Sequence, residues 1–525
     1  EILAWNADAD VIPGGSPEGQ GIAFRFPSDY NSPNALTDLT TSQIASLMTN
    51  APYPLATADV SEISTNQAYG EGILDYFRGD GSNAGVGLNF RYRNSVLGDI
   101  INSDPKFVGD PNFRYPDAME AKSYADFIAD YTGRDGVVYA GANDGMLHGF
   151  DEDTGDEVLA FMPSPVFNNI AELATDDYIH RNFVDAGPNI VDAFLANMDD
   201  PSSSTDGQWR TILSGGLGGG GQAIYSLDVT DPSIFDESFA TNVVLWEFND
   251  GDDADLGYTY GRPQIAKMAN GQWAAVFGNG YNNTVADGDA STTGNAVLYI
   301  LDIETGDLIK KIDTGEGAAG TPNGLATPLL VDQNSDFIVD YIYAGDLLGN
   351  MWKFDVTSAL TSGWEIAYSA PLFTTDANQP ITSQPQAAFH PDNLQGFMIY
   401  FGTGQYLETT DNDPNNQPLQ AFYGIWDKNE SILTAFDSDD LLVQTIDNQY
   451  DQEFDTDNDG SLDTTFTLRD VSKNSINFGT HMGFKLGLIP VLVDGIPNTD
   501  NFGERQISNA TITYDRITNL SFISN

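Results

Sequence analysis

Short apolar runs of four to seven residues, rich in Val, Ile, Tyr, Phe and Thr and bounded by Gly, Asp, Asn or Pro, recur along most of the chain. That pattern predicts many short strands joined by turns rather than long helices. Clear strands are expected at 211–214, 223–228, 243–248, 273–277, 296–302, 328–331, 398–402 and 421–426, with loops of very unequal length between them. One stretch has helical spacing: in TTSQIASLMTN (40–50), Thr40 or Thr41 can cap, and Ile44, Leu47 and Met48 share a face.

Two segments align without a gap, VVYAGANDGMLHGFD (137–151) and YIYAGDLLGNMWKFD (341–355). Tyr139, Ala140, Gly141, Gly145, Phe150 and Asp151 recur as Tyr343, Ala344, Gly345, Gly349, Phe354 and Asp355. The unit reads as a hairpin whose closing Asp starts another turn. DEDTGDEVLAF (151–161) is likewise similar to DIETGDLIKKI (302–312), where Gly155 or Gly306 can take a positive φ before the next strand. Repeated units of about four strands make a β-propeller, and blades of roughly 40 to 50 residues place about seven between residue 90 and the low 430s. The expected fold is therefore all-β, a modified seven-bladed β-propeller with irregular insertions and a few short helices. Its expected parts are a lead-in segment at 1–89 that packs on the propeller, a propeller core at 90–431, and an acidic segment at 432–525 that completes the propeller. From about 432 the chain is rich in Asp and Asn and reads as irregular insertion with a few strands.

Composition narrows the function. The 525 residues, 41% hydrophobic and 11% aromatic, suffice for a large core. With 21 Lys and Arg against 77 Asp and Glu, the net charge of −56 repels a phosphate backbone, so nucleic acid is excluded as a partner. Such acidity suits a saline medium that screens the self-repulsion. There is no Cys and only four His, which removes disulfides, thiolate metal sites and Cys nucleophiles, and leaves metal chemistry to hard oxygen ligands. No apolar run approaches the length of a membrane span and the first residue is Glu, so neither a membrane span nor a signal peptide is expected.

Oxygen ligands are concentrated in two loops. DQNSDFIVD (332–340) puts Asp332, Asn334, Asp336 and Asp340 at offsets 1, 3, 5 and 9, with Ile338 placed to offer its carbonyl. Ca²⁺ takes six to eight oxygens, and alternation around a tight loop can turn successive carboxylates inward. Three carboxylates this close repel one another unless a cation neutralises them. The competing reading is a solvated Asx-turn. DTDNDGSLD (455–463) repeats the design with Asp455, Asp457, Asp459, Asp463 and the Ser461 carbonyl, and Gly460 stands where an EF-hand has its sharp-turn glycine. Two other acidic runs, NDGDDADLG (249–257) and DNDPNN (411–416), lack the alternation and read as solvated turns.

Other motifs favour plain readings. Arg78-Gly79-Asp80 is an RGD tripeptide, a sequence that chance produces easily. GGLGGGG (215–221) follows a strand but lacks the Lys-Ser/Thr ending of a phosphate cradle, so it reads as a close-packed turn. His148 lies on an expected strand as a structural hydrogen-bonder, His180, His390 and His481 have no partner motif, and Trp352 is expected in a core.

Several stretches in order carry a family resemblance: LDYFRGD (74–80), SVLGDIINSDPKFVG (95–109), VVYAGANDGMLHGFD, FVDAGPNIVDAF (183–194), WRTILSGGLGGGGQAIYSLDVTDP (209–232), LWEF (245–248), DLGYTYGRPQI (255–265) and WAAVFGNGYN (273–282). The chain resembles the C-terminal domain of the PilY1/PilC family of type IV pilus biogenesis factors over roughly 20–430. The resemblance implies a calcium-binding, non-enzymatic propeller, exported to the cell surface or pilus tip, that promotes pilus extension, opposes retraction and contributes to adhesion. Implied partners are pilin and minor pilins and a host or surface receptor. It also matches 332–340 with a nine-residue EF-hand-like calcium loop. Functions of the von Willebrand factor A-like region that many relatives carry upstream are not carried over. Two alternatives stand beside this reading: a quinoprotein-like dehydrogenase propeller, whose frequent vicinal disulfide zero Cys rules out, and a generic extracellular adhesin propeller.

Overall fold

The computed structural model describes residues 2–7, 19–29, 33–34, 37–52, 60–85, 87, 89–196, 207–284, 289–413, 418–454, 464–498, 503–513 and 516–518. They form two compact units, Glu1–Pro322 with Ser335–Ile338, and Asn323–Asn334 with Val339–Asn525. No helix among the described residues is long and apolar enough to cross a membrane.

Three sheets build the first unit. The first runs in the order Gln20–Ala23, Ile2–Asn6, Glu157–Met162, Leu147–Asp151, Val137–Gly141, Lys106–Val108. Its N-terminal strand joins in parallel, Ile2 opposite Ala160 and Ala4 opposite Met162. The second is a meander of Asn189–Leu195, Gln208–Gly216, Ala223–Asp228 and Val244–Asn249. The third contains the meander Gln264–Met268, Trp273–Gly278, Asn295–Asp302 and Leu308–Gly317. The buried faces are Leu, Ile, Val, Tyr and Trp, in one cluster running from Ile2 to Ile303.

The second unit has a sheet of Leu329–Val331, Tyr341–Gly345, Asn350–Asp355 and Glu365–Ile366, on which Phe373–Thr374 also pairs. A larger sheet runs Gln386–Phe389, Phe397–Gly402, Ala421–Asp427, Gly483–Val493, Leu442–Phe454, Thr464–Val471. Gly483–Val493 is antiparallel to Ala421–Asp427 and parallel to Leu442–Phe454. The segment after 432 is thus more regular than its Asp- and Asn-rich composition suggests. Strands of 13 and 11 residues occur there, because pairing rather than propensity decides their conformation.

The gapless alignment is a shared register. In one hairpin Val137 faces Asp151 and Gly141 faces Leu147; in the other Tyr341 faces Asp355 and Gly345 faces Met351. Each turn has a glycine at positive φ, Gly145 at 99° and Gly349 at 84°, where another residue would be strained. The two DxxTGD turns also coincide, with Gly155 and Gly306 N–H groups donating to the Asp151 and Asp302 carbonyls at 2.9 Å each.

Helix Thr41–Leu47 is capped by Thr40 in a capping box with Gln43, and it buries Ile44 and Leu47 as its spacing predicts. Helix Val60–Phe77 has no clear signal in the sequence. Its Gly70 lowers helix propensity, yet a Cβ there would stand 2.0 Å from the Phe26 ring, so packing requires the glycine. Close approach also explains GGLGGGG: a Cβ on Gly220 would lie 1.7 Å from the Phe183 carbonyl oxygen.

Among the buried ionisable groups of the first unit, His148 and Glu247 bear most directly on its response to pH. His148 is 3% exposed, with Nε2 3.0 Å from Asp144 Oδ1 and Nδ1 2.5 Å from Glu157 Oε1. Burial works against the charged ring, but hydrogen bonds and charge from the two carboxylates prevail and raise its pKa to about 9. Glu247 accepts the Ser164 N–H at 2.9 Å through Oε1, while Oε2 has no partner. Burial pushes its pKa up to about 8.

Both groups bind their proton more tightly in the folded state. Their stabilisation is fully present below the ordinary values of 6.5 for His148 and 4.5 for Glu247, and is lost as pH rises through about 9 and about 8. Through these two groups the thermal midpoint should therefore fall from about pH 4.5 to about pH 9, the span from the lower ordinary value to the higher raised one. Glu247→Gln, which stays neutral, should flatten the part of that fall between about pH 4.5 and about pH 8, as calorimetry across pH would show. Gly220→Ala should lower stability by roughly 2 kcal/mol or more, since backbone must shift. Gly81→Ala, with nothing within 4 Å of the added Cβ, should change it little.

Candidate metal-binding site

The loop 332–340 closes a hairpin. Leu329–Val331 and Tyr341–Gly345 are antiparallel with Val331 opposite Tyr341, and the Asp340 N–H donates to the Val331 carbonyl at 2.9 Å. The apolar strands hold both ends of the loop, so its intervening polar residues turn within a fixed span.

Three backbone N–H groups shape the turn. Asp332 Oδ1 accepts from Asn334 at 3.2 Å, Asp336 Oδ1 from Ile338 at 2.9 Å, and Asp340 Oδ2 from Gln333 at 2.8 Å. The last bond runs from one end of the loop to the other. Ser335 and Phe337 take positive φ values of 63° and 69°. Phe337 is the sixth loop position, which the EF-hand pattern gives to glycine; a bulky side chain in that conformation costs about 1 kcal/mol or more. Asp332, Ile338 and Asp340 are half-buried, whereas Asn334 and Asp336 are exposed.

The five expected residues lie along one continuous stretch, with Asp336 and Ile338 in the segment that belongs to the first unit and Asp332, Asn334 and Asp340 in the second. Their donors are carboxylates, an amide and a carbonyl, a set of hard oxygens that suits Ca²⁺. Among the described residues, no three His, Asp or Glu side chains form a ready-made metal cluster. The second expected loop, with Asp455, Asp457, Asp459, Ser461 and Asp463, lies outside the described residues.

The run 249–257 is not a solvated turn. Lys311 Nζ lies 2.7 and 2.8 Å from the two Asp253 oxygens and 2.7 Å from Asp255 Oδ2. The Tyr299 hydroxyl adds a bond to Asp253 at 3.1 Å, and the Ser291 hydroxyl one to Asp255 at 2.5 Å. The cation that pairs with Asp253 and Asp255 stands more than fifty residues away in sequence, so local spacing could not indicate it. Hydrogen bonding to Lys311 holds Asp255 below its ordinary carboxylate value despite burial.

The RGD tripeptide is likewise engaged within the fold. The Arg78 guanidinium donates to Glu237 and to the Phe24 carbonyl, and Asp80 Oδ1 accepts the Ser82 N–H at 2.7 Å. Trp352 is buried and donates its indole N–H to Asp346 at 2.8 Å.

A family model for the PilY1 beta-propeller domain matches residues 97–459. Among curated proteins, the type IV pilus biogenesis factor PilY1 of Pseudomonas aeruginosa strain PAK is 36% identical over 441 residues, which cover 78% of this chain and 35% of that protein. A PilY1 homolog of Xylella fastidiosa strain Temecula1 is 38% identical over 404 residues, covering 71% and 25%. The crystal structure of the Pseudomonas aeruginosa PilY1 C-terminal domain superposes with a TM-score of 0.64 at 32% identity, covering 80% of this chain and 83% of that one. The chain spans about a third of the length of the curated Pseudomonas relatives it matches. With the family match extending over more than half of its length, the chain belongs to the PilY1 β-propeller family, the fold class that its strand pattern predicts.

Proposed function

We propose that this chain acts in type IV pilus biogenesis as a non-enzymatic, calcium-binding factor outside the cell, at the pilus tip or outer surface. In this role it contacts pilin and minor pilins, promotes extension, opposes retraction and contributes to surface adhesion. The observation that carries the reading is the match to PilY1 biogenesis factors along most of the chain. The RGD tripeptide does not carry the adhesion reading, since its arginine is engaged by Glu237 and the Phe24 carbonyl.

In the calcium reading, Asp332, Asn334, Asp336 and Asp340 supply side-chain oxygens and Ile338 its carbonyl, with the 455–463 loop as a second site. A cation that binds only the ordered loop stabilises the fold by about 2.7 kcal/mol when its concentration is a hundred times Kd. It also offsets the mutual repulsion of three carboxylates within nine residues.

Thermal unfolding in calcium, magnesium or chelator tests the metal reading. Calcium should raise the midpoint of the parent protein, and Asp340→Ala and Asp463→Ala should each reduce that rise. If neither substitution alters the calcium response, both loops are wrongly assigned. The pilus reading is tested separately: deletion of the gene in its source strain should reduce surface pili, and unchanged piliation would overturn it.

A further inference from the structure

A lysine sits deep in the second unit with its amine against a side-chain amide. Lys353, on the strand Asn350–Asp355, is 1% exposed. Its Nζ lies 2.7 Å from Asp427 Oδ2, 2.7 Å from Asn429 Oδ1 and 3.3 Å from the Tyr368 hydroxyl. The ring of Tyr341 is 4.2 Å away, that of Tyr368 5.3 Å and that of Tyr343 5.7 Å. The amine is thus enclosed by three aromatic rings, one carboxylate and one amide.

The other two groups are equally well held. Asp427 is 1% exposed and ends the strand Ala421–Asp427. Its Oδ2 also accepts the Tyr343 hydroxyl at 2.6 Å, and Oδ1 accepts the Tyr368 hydroxyl at 3.0 Å and the Asn429 N–H at 2.9 Å. Asn429 has a positive φ of 52°, so the chain turns sharply and brings its side chain back over Asp427. Its Nδ2 donates to Gln333 Oε1 at 2.9 Å, which orients the amide with its oxygen toward the lysine. A hydrogen bond of that length between Nζ and Oδ1 places the amide carbon within a near-attack distance of roughly 3.5 Å from the amine.

We propose that Lys353 and Asn429 join in an intramolecular amide cross-link, with Asp427 moving the protons. Asp427 takes a proton from the Lys353 ammonium, and the freed amine attacks Asn429 Cγ. The new Nζ–Cγ bond forms, the Cγ–Nδ2 bond breaks, and both displaced lysine protons pass by way of Asp427 to Nδ2, which leaves as ammonium. Asp427 returns to the carboxylate form, and no oxidant or co-reactant is needed.

Burial favours the first step, because it lowers the Lys353 pKa against the opposing charge of Asp427 and so eases formation of the neutral nucleophile. Exclusion of water by the three tyrosines also disfavours hydrolysis of the amide in place of attack by the amine. The link would tie together residues 76 apart in sequence, Lys353 on a strand of one sheet and Asn429 two residues past the end of a strand of another sheet in the same unit. It would thereby bound the extension of that unit under load.

Intact mass of the denatured protein is the test. The parent chain should be lighter than its sequence requires by one ammonia, and protease digestion should release a branched peptide joining the Lys353 and Asn429 segments. Lys353→Arg, which keeps the charge but cannot form the bond, and Asp427→Asn should both have full mass. A parent chain at full mass overturns the proposal whether or not the variants fold. So does an ammonia loss that persists in Lys353→Arg, since that would be cyclisation of Asn429 on its own backbone. Neither outcome depends on calcium or on a pilus phenotype.

Discussion

Each of the five large sheets has a strand that must end and turn back without leaving backbone groups unpaired, and in all five the residue that solves this is an aspartate. Asp151 Oδ1 accepts the N–H groups of Asp153 and Thr154 and the Thr154 hydroxyl. Asp228 and Asp355 accept both the N–H and the hydroxyl of the threonine two residues on. Asp302 accepts the Glu304 and Thr305 N–H groups, and Asp427 that of Asn429. A short carboxylate satisfies the orphan donors of the turn and competes with continuation of the strand, which is why Asp rather than Glu stands there. Part of the high acidity is thus architectural. Each sheet needs a carboxylate at one corner, and the environment then divides them: Thr154 holds Asp151 below its ordinary value, whereas burial raises Asp228 and Asp302.

A repeated corner leaves room for divergence next to it. Lys353 occupies the position that Gly149 holds in the aligned hairpin. A Cβ on Gly149 would already crowd the Tyr139 ring at 3.0 Å, and the Tyr139 hydroxyl has no hydrogen-bond partner. In the second hairpin the Tyr343 hydroxyl reaches Asp427, and the lysine fills the space under Tyr341. Lysine at this aligned position therefore adds an amine beside the Asp427 carboxylate and the Asn429 amide, both of which another strand and its turn supply. A buried charge pair of this kind gives little net stability against an apolar replacement, so its retention asks for another role.

The sequence was most legible where local chemistry decides the outcome. Runs such as 223–228 and 398–402 lie within strands because β-branched and aromatic residues fit a half-buried pleat, and Thr40 caps because its hydroxyl reaches the Gln43 N–H. Alternation made the 332–340 turn legible as well. What stayed hidden depends on partners distant in sequence. Helix Val60–Phe77 carries Gly70, which only the distant Phe26 explains, and Asp253 and Asp255 are paired with Lys311. The amide of Asn429 has no motif around it; only the fold brings Lys353 beside it.

The loop and the enclosed lysine meet at one amide. Gln333, the second residue of 332–340, accepts the hydrogen bond from Asn429 Nδ2, and Asp340 in turn accepts from the Gln333 N–H. The nitrogen held by Gln333 is the one that leaves in the proposed cross-link. A cation that orders the loop would therefore also fix the orientation of the amide, because rotation of Asn429 would cost the bond to Gln333. After the exchange that donor is gone, and Gln333 must find another partner or water. Loop order would thus act before bond formation, as preorganisation of the reacting amide, and lose its hold on that residue afterwards. The direction follows from which nitrogen departs: an ordered loop would influence how the corner matures rather than support the finished corner.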